Sequence, residues 1–269
     1  MRMDVMKTTS RRIYSLALAL LVVGIPAGAE TESSKTWLGR HQEIEKLLKT
    51  AEIIDVEDVG TGVTKPKKVT LRDGDSTFYA AFKPITRGRQ TGYWESYQAE
   101  VAAYRLDKLL GLDMVPPTVV RRIDKKQGSL QFWVDDCRLY SEVEGETPRS
   151  PAWSQQLSTM KMFDVLIANE DRNAQNFLVD PKFVVVLIDH SRAFITSNAM
   201  LKSKNKLPIQ FDRDLVAKLK ALDRETLDTH LESLLMGGQV KAVLKRRDEL
   251  LEYLDELIQK RGEGQVLFE

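Results

Sequence analysis

The alternation of apolar and polar residues predicts a β-rich first half of the chain. A polar start and one amphipathic helix in "ESSKTWLGRHQEIEKLLKTAE" are followed by strand-like runs, "IIDVEDVGTGVTKP" and "KKVTLRDGDSTFYAAFKPI". The Asp73-Gly74 pair lies between two β-rich segments, which favours a hairpin. The later runs "TVVRRI" and "SLQFWVDD" predict two more strands. We therefore expect a small sheet built largely from hairpins.

A second helix is predicted within this half, from about Trp94 to Leu110. Its buried face consists of residues at helical spacing: Ala99, Ala102, Ala103, Leu106 and Leu110. The segment "GLDMVPPTVV", with one glycine and two prolines, ends it. Glu95 is expected to be a solvated glutamate of this helix.

The second half is predicted to be mainly helical. The segment "CRLYSEVEGETPRSP" carries charge, glycine and proline and is the best candidate for a linker. Beyond it, Ser150 and Pro151 have the residue types of a helix cap and a first helical position, and three further helical segments follow. The predicted domains are an N-terminal helical extension at 30–52, a small β-rich lobe at 53–137, a linker at 138–150 and a larger helical lobe at 151–269. This α+β layout of two lobes favours a ligand cleft between them.

The N-terminus predicts export. Basic residues precede the apolar run "IYSLALALLVVGI", and "AGA" follows it, so we expect a signal peptide over residues 1–29 that is cleaved after Ala29. The run is shorter than the ~20 residues of a spanning helix, so no membrane span is expected after cleavage. Cys137 is the only cysteine and no Asn-x-Ser/Thr sequon occurs, which favours a bacterial periplasmic or secreted protein. The formal net charge of +1 gives no global basic field, so nucleic acid is not an expected partner.

The segment "NEDRNAQNFLVDPKFVVVLIDHSRAF" holds the candidate chemistry. Asp171 and Asn176 have the Asp-x-x-x-x-Asn spacing of protein-kinase catalytic loops, and Asp189 follows the apolar strand "FVVVLI". Phosphoryl transfer needs rigid oxygen ligands for a metal and an acceptor for the proton of the incoming hydroxyl. Each residue alone would also suit a cap or a turn. With the strand and the second aspartate in register, we interpret them as a phosphoryl-transfer site.

A nucleotide site also needs a cation, and Lys83 at the end of the apolar strand "FYAAF" is the candidate. Glu100 on the predicted helix is placed to pair with it, as the strand lysine and helix glutamate do in kinases. The alternatives are an edge lysine that reaches solvent and a solvated glutamate. Gly60 and Gly62 in "VGTGVTKP" are candidates for a phosphate-covering turn, although the G-x-G-x-x-G pattern is absent.

These segments together resemble the secretory-pathway kinases, the group of the Golgi casein kinase and its xylose-kinase relative, within the phosphatidylinositol 3-/4-kinase-like superfamily. The likeness lies in "AAFKPI", in "YQAEVAAYRLDKLLGLDMVPPTV" and in "FDVLIANEDRNAQNFLVD…VVLIDHSRAF", and it covers most of residues 55–262. It implies a two-lobed protein-kinase-like fold that uses ATP with Mg²⁺ or Mn²⁺. It also implies site roles by position: catalytic Asp171, metal ligands Asn176 and Asp189, and Lys83 with Glu100 as the phosphate-anchoring pair.

Two departures from that superfamily keep other functions open. Asn173 stands where many members have histidine after "DR", and His190 and Ser191 stand where a glycine often follows the metal aspartate. The leading hypothesis is an exported kinase whose acceptor is a hydroxyl on a protein, with serine or threonine first, or on a sugar or lipid. The alternatives are a nucleotide-binding pseudokinase that acts as an interaction module and a metal-dependent phosphohydrolase. Arg192 is predicted either to pair with Asp189 or to contact phosphate.

Overall fold

The largest sheet is built from the first half of the chain, as the alternating pattern predicts. The computed structural model describes residues 34–60, 66–90, 92–197 and 203–269. In chain order its strands are β1 Glu52–Asp58, β2 Lys67–Asp73, β3 Ser76–Lys83, β4 Gly88–Gln90, β5 Tyr93–Glu95, β6 Thr118–Ile123, β7 Lys126–Phe132, β8 Arg138–Leu139, β9 Phe177–Val179, β10 Val185–Leu187, β11 Phe211–Asp212 and β12 Leu267–Phe268. A five-stranded sheet has the order β1-β2-β3-β7-β6, and all its neighbouring pairs are antiparallel.

The helices follow mainly in the second half. They are α1 His41–Thr50, α2 Tyr97–Leu110, α3 Tyr140–Val143, α4 Pro151–Ile167, α5 Arg213–Ala221, α6 Arg224–Leu231, α7 Gly237–Arg261 and α8 Glu263–Val266. The predicted cap is confirmed, because the Ser150 side chain accepts a hydrogen bond from Trp153 N and Pro151 opens α4. The three later helical segments are likewise confirmed as α5, α6 and α7.

The hairpin predicted at Asp73-Gly74 joins β2 to β3. Asp73 pairs with Ser76, and Gly74 has a φ of 59°, a left-handed conformation that glycine adopts without steric cost. The register places Lys83 at the last position of β3, opposite Ser129 of β7. The sheet therefore delivers the lysine side chain at one end of a central strand.

The predicted start of the long helix at Trp94 is wrong. Trp94 and Glu95 belong to β5, which forms a small antiparallel hairpin with β4, and α2 begins at Tyr97. The Ser96 side chain caps the helix by accepting from Ala99 N at 3.1 Å, which satisfies one of its free N–H groups. Glu95 is consequently not a solvated helix residue, and its carboxylate is buried.

The segment predicted as a linker, residues 138–150, is folded onto the helical half. Its first two residues form β8, which pairs with β9 in a three-stranded sheet that also contains β10. Tyr140 of α3 then stacks on Phe177 with ring centroids 4.6 Å apart. Because β9 and β10 lie between Asn176 and Asp189 in the chain, this segment supports the candidate motif as well as connecting two regions.

Two cores hold these elements together. One core packs Trp37 and the apolar face of α1 against the five-stranded sheet, through side chains such as Ile44, Leu71 and Phe82. The other unites the buried face of α2 with α4, α5, α6 and α7. The long helix of the β-rich half is therefore packed into the helical core, so it joins the two halves.

The predicted signal peptide, residues 1–29, lies outside the described residues. Within the described residues, no helix is both long enough and apolar enough to cross a membrane.

Burial of Asp107 in α2 predicts a pH-dependent stability. Its Oδ1 accepts from Met114 N at 3.1 Å, and burial raises the pKa of the carboxyl group to about 8. The unfolded chain has a pKa near 4 for this group, so the folded state binds the proton more tightly. The favourable contribution is present below about pH 4 and is lost as the pH rises toward 8.

Asp107→Asn keeps a side-chain oxygen for Met114 N and cannot ionise. Relative to this variant, we expect the free energy of unfolding of the wild type to fall between pH 5 and pH 8, by at most about 1.4 kcal/mol per pH unit. Urea unfolding of both proteins at pH 5, 6.5 and 8 measures the difference. Parallel pH profiles would contradict the prediction.

Candidate active site

Lys83 connects the sheet to two carboxylates. Its Nζ donates to Glu100 Oε1 at 2.7 Å and lies 3.1 Å from Asp189 Oδ1. Burial would lower the pKa of the ammonium group, but the charges of Asp189 and Glu100 outweigh burial and raise it above its ordinary value. The lysine therefore remains charged, with its partners on α2 and after β10.

Glu100 on α2 is the hydrogen-bond partner of Lys83 and of the segment after Asp189. Its Oε1 accepts from Lys83 and its Oε2 accepts from His190 N at 2.9 Å. Burial opposes ionisation of this carboxyl group, yet the charge of Lys83 and the neighbouring His190 side chain hold its pKa below the ordinary value. One ionised glutamate thus ties β3, α2 and the segment that follows Asp189.

The loop after α4 carries Asp171 and Asn176. Asn176 Nδ2 donates to the backbone oxygen of Asp171 at 2.8 Å, so the two ends of the Asp-x-x-x-x-Asn motif are bound to each other. Asn173 closes the turn between them: its Nδ2 donates to the same oxygen and its Oδ1 accepts from Gln175 N, both at 2.9 Å. The asparagine that replaces the usual histidine therefore has a structural role in this loop.

Arg172 holds this loop against the Asp189 segment. Its Nε and Nη2 form a fork on the Asp164 carboxylate at 2.9 and 3.0 Å. Its Nη1 donates to the backbone oxygen of Asn176 and, at 2.7 Å, to that of Ile188. Because Ile188 precedes Asp189, one buried guanidinium fixes the two candidate metal ligands on neighbouring segments.

His190 completes this buried network. Its ring is fully buried and its Nε2 lies 2.9 Å from Arg172 Nη2. Burial lowers the pKa of the imidazole, so the ring is neutral at pH 7 and Nε2 accepts from the arginine. The histidine that follows the candidate metal aspartate is thus a packing and hydrogen-bonding residue.

Arg192 joins two acids, neither of which is the Asp189 partner that the sequence suggested. Its Nε donates to Glu95 Oε1 at 2.7 Å and its Nη1 donates to Asp171 Oδ2 at 3.0 Å. The Tyr93 ring lies beside the guanidinium, with 4.1 Å from its central carbon to the ring centroid. Arg192 is therefore bound to Asp171 rather than to Asp189.

The predicted site residues fall into two bonded groups that Arg172 connects. One is Lys83, Glu100 and Asp189, and the other is Asp171 with Asn176. Gly60 has a left-handed φ of 73° just beyond β1. Among the described residues, no hydrogen bond joins Gly60 to either group. Gly62 lies outside the described residues.

The sequence did not indicate a site role for four residues: Asp164, Arg172, His190 and Glu95. Glu95 was expected to be solvated but is buried. The arginine and the histidine stand next to predicted residues, so adjacency was the only signal for them. The buried acids gave no local signal, because their partners are 8 and 97 positions away.

The donor set suits a hard divalent cation. Asp189 supplies a carboxylate whose side chain is 26% exposed, and Asn176 uses its amide nitrogen on Asp171, which leaves the amide oxygen as a ligand. Among the described residues there is no cluster of three acidic, histidine or cysteine side chains that would enclose an ion. A metal here would take its remaining ligands from water and phosphate, as Mg²⁺ commonly does.

Comparison with known proteins agrees with this architecture. The fold is that of a two-lobed kinase, with a β-rich half and a helical half. The sequence model for "Phosphatidylinositol 3- and 4-kinase" matches residues 61–261, so the chain belongs to this family of phosphotransferases. No curated protein matches the chain.

Solved structures show the same fold. The structure of hydra Fam20 with sugar has 15% identity and a TM-score of 0.65, and the match covers 84% of this chain and 91% of that one. The Golgi casein kinase matches at 18% identity and a TM-score of 0.65, over 84% of this chain and 77% of that one. The structure of the Golgi casein kinase with Mn/ADP bound has 18% identity and a TM-score of 0.65, and the match covers 84% of this chain and 78% of that one. The predicted resemblance to this group of kinases is confirmed.

The network around Arg172 predicts a large stability effect. Arg172→Ala leaves Asp164 as a buried carboxylate without its arginine, so we expect the free energy of unfolding to fall by about 3–5 kcal/mol. Arg72→Ala is the matched control, because Arg72 pairs with Glu52 on the exposed face of the sheet. Its expected loss is below about 1 kcal/mol. Urea unfolding measures both, and equal losses would contradict the assignment.

Proposed function

We propose that the protein is an exported kinase that transfers the γ-phosphate of ATP to a hydroxyl group. The observation that carries this proposal is the double contact of Lys83, with Glu100 at 2.7 Å and with Asp189 at 3.1 Å. A buried cation beside a partly exposed carboxylate suits a phosphate chain with a bound metal. The Asp171–Asn176 loop lies against the same segment through Arg172.

Each site residue has a role in this proposal. Lys83 neutralises the nucleotide phosphates, and Glu100 holds the lysine in place. Asn176 and Asp189 bind Mg²⁺ or Mn²⁺, which when bound neutralises charge on the transferred phosphoryl group. Asp171 accepts the proton of the attacking hydroxyl. Support for manganese comes from the similar fold of the Golgi casein kinase, whose structure holds Mn/ADP.

The departures from the superfamily pattern are compatible with activity. Asn173 stabilises the loop and His190 packs behind it, and neither displaces Asp171 or Asp189. The side chain of Asp171 is 38% exposed, so a substrate can reach it. These contacts favour an active enzyme over a pseudokinase.

We further propose a protein serine or threonine hydroxyl as the first-choice acceptor, with sugar or lipid hydroxyls as the other classes. The similar solved structures support the protein and sugar classes, since one is a casein kinase and one was solved with sugar. Protein comes first because the sequence of the α2 segment resembles the protein-kinase branch most. Export rests on the predicted signal peptide and on the Golgi kinase among the similar folds. The bacterial periplasm stays a prediction from the sequence.

Phosphate transfer by the full chain tests the function. The protein is incubated with labelled ATP, Mn²⁺ or Mg²⁺, and an acceptor panel of casein, free sugars and lipid vesicles. We expect transfer that Asp171→Asn and Asp189→Asn each reduce by about 10²-fold or more, because the first removes the base and the second removes the negative charge of a metal ligand. The control is Glu170→Gln, which alters the exposed acid next to Asp171.

The outcomes separate the alternatives. Transfer by the wild type that does not exceed that of Asp189→Asn contradicts the kinase proposal. Metal-dependent ATP binding without transfer to any acceptor would identify a pseudokinase. Release of free phosphate in the absence of an acceptor would instead identify a phosphohydrolase.

A further inference from the structure

Arg192 lies between two acids that are far apart in the chain. Glu95 Oε1 receives its Nε at 2.7 Å, and Asp171 Oδ2 receives its Nη1 at 3.0 Å. The Tyr93 ring covers the guanidinium at 4.1 Å, a distance that suits a cation–π contact. The arginine therefore has three partners that restrict its orientation.

Glu95 is a fixed attachment point for this arginine. Glu95 is the last residue of β5 and is only 4% exposed. The pairing of β5 with β4 places it opposite Gly88. The next residue, Ser96, donates its backbone N–H to Ser191 O at 2.9 Å, directly before Arg192. The anchor and the arginine are thus joined both by their side chains and by the adjacent backbone.

Arg192 binds the Asp171 carboxylate through one of its two oxygens, Oδ2. The contacts from Arg192 Nη1 and from Asn176 Nδ2, at 3.0 and 3.5 Å, both fall on Oδ2. A carboxylate that is 38% exposed would otherwise be free to rotate. With Oδ2 bound, the orientation of the group is set and Oδ1 is the oxygen left for a substrate.

We propose that Arg192 is a positioning residue which orients Asp171 for proton acceptance through Oδ1, and that buried Glu95 holds Arg192 in that role. This inference rests on the proposed kinase function. In the step, the acceptor O–H bond breaks and its proton moves to Asp171 Oδ1. The acceptor oxygen bonds to the γ-phosphorus, and the bond from this phosphorus to the bridging oxygen breaks to release ADP.

A positioning role predicts a loss of turnover with nucleotide affinity retained. In the full chain, Arg192→Ala and Glu95→Ala are expected to lower kcat by about 10- to 100-fold, because a misplaced base loses its near-attack geometry. We expect KM for ATP to stay within about threefold, since the phosphates are assigned to Lys83. Steady-state kinetics at varied ATP and saturating acceptor measure both constants.

Two further variants distinguish orientation from charge alone. Arg192→Lys keeps the charge but cannot donate to Glu95 and Asp171 as a planar fork, so we expect it to remain impaired. The double variant Arg192→Ala/Glu95→Ala is expected to be no slower than Arg192→Ala, because Glu95 acts only through the arginine. Arg89→Ala, on the exposed part of the same hairpin, is the control and is expected to match the wild type.

Each result decides between the roles. If the wild type is active, three results would overturn the positioning role and leave the kinase function intact. They are an unchanged kcat in Arg192→Ala, full activity in Arg192→Lys, and losses that multiply in the double variant. Loss confined to KM for ATP would assign Arg192 to phosphate binding instead and would also overturn it. A wild type that transfers no phosphate would overturn the proposed function, and this inference with it.

Discussion

The buried guanidinium of Arg172 is the contact on which the candidate site depends. It binds the Asp164 carboxylate through a two-point fork and donates to the backbone oxygens of Asn176 and Ile188. A buried ion pair is stable only when its geometry is good and its remaining hydrogen-bonding groups have partners. Both conditions are met here. The loop with Asp171 and the strand end with Asp189 are therefore held as one rigid unit.

Glu100 gives the site its second half, because α2 belongs to both parts of the fold. Its buried face packs into the helical core, whereas the glutamate faces the sheet and accepts from Lys83. The same carboxylate accepts from His190 N, beside Asp189. Lys83 and the segment that carries Asp189 are thus linked through a single ionised side chain.

Much of the fold could be predicted from sequence, because apolar periodicity reports burial. Five of the seven predicted site residues lie in the two bonded groups, because the kinase motifs that indicated them are local. The start of α2 and the environment of Glu95 could not be predicted, since a strand and a helix turn look alike over three residues. The hydrogen-bond partner of the buried Glu95 is Arg192, 97 positions away. Arg172 was overlooked for a similar reason: two of its acceptors are backbone oxygens, which no side-chain pattern encodes.

Lys83, Asn176 and Asp189 together are proposed to form one metal–nucleotide site. Anomalous diffraction from crystals of the full chain grown with Mn²⁺ and ADP locates the metal. We expect a manganese peak bound by Asn176 and Asp189, with Lys83 in contact with phosphate instead of Asp189. A manganese peak away from these two residues, or ADP bound without contact to Lys83, would contradict it.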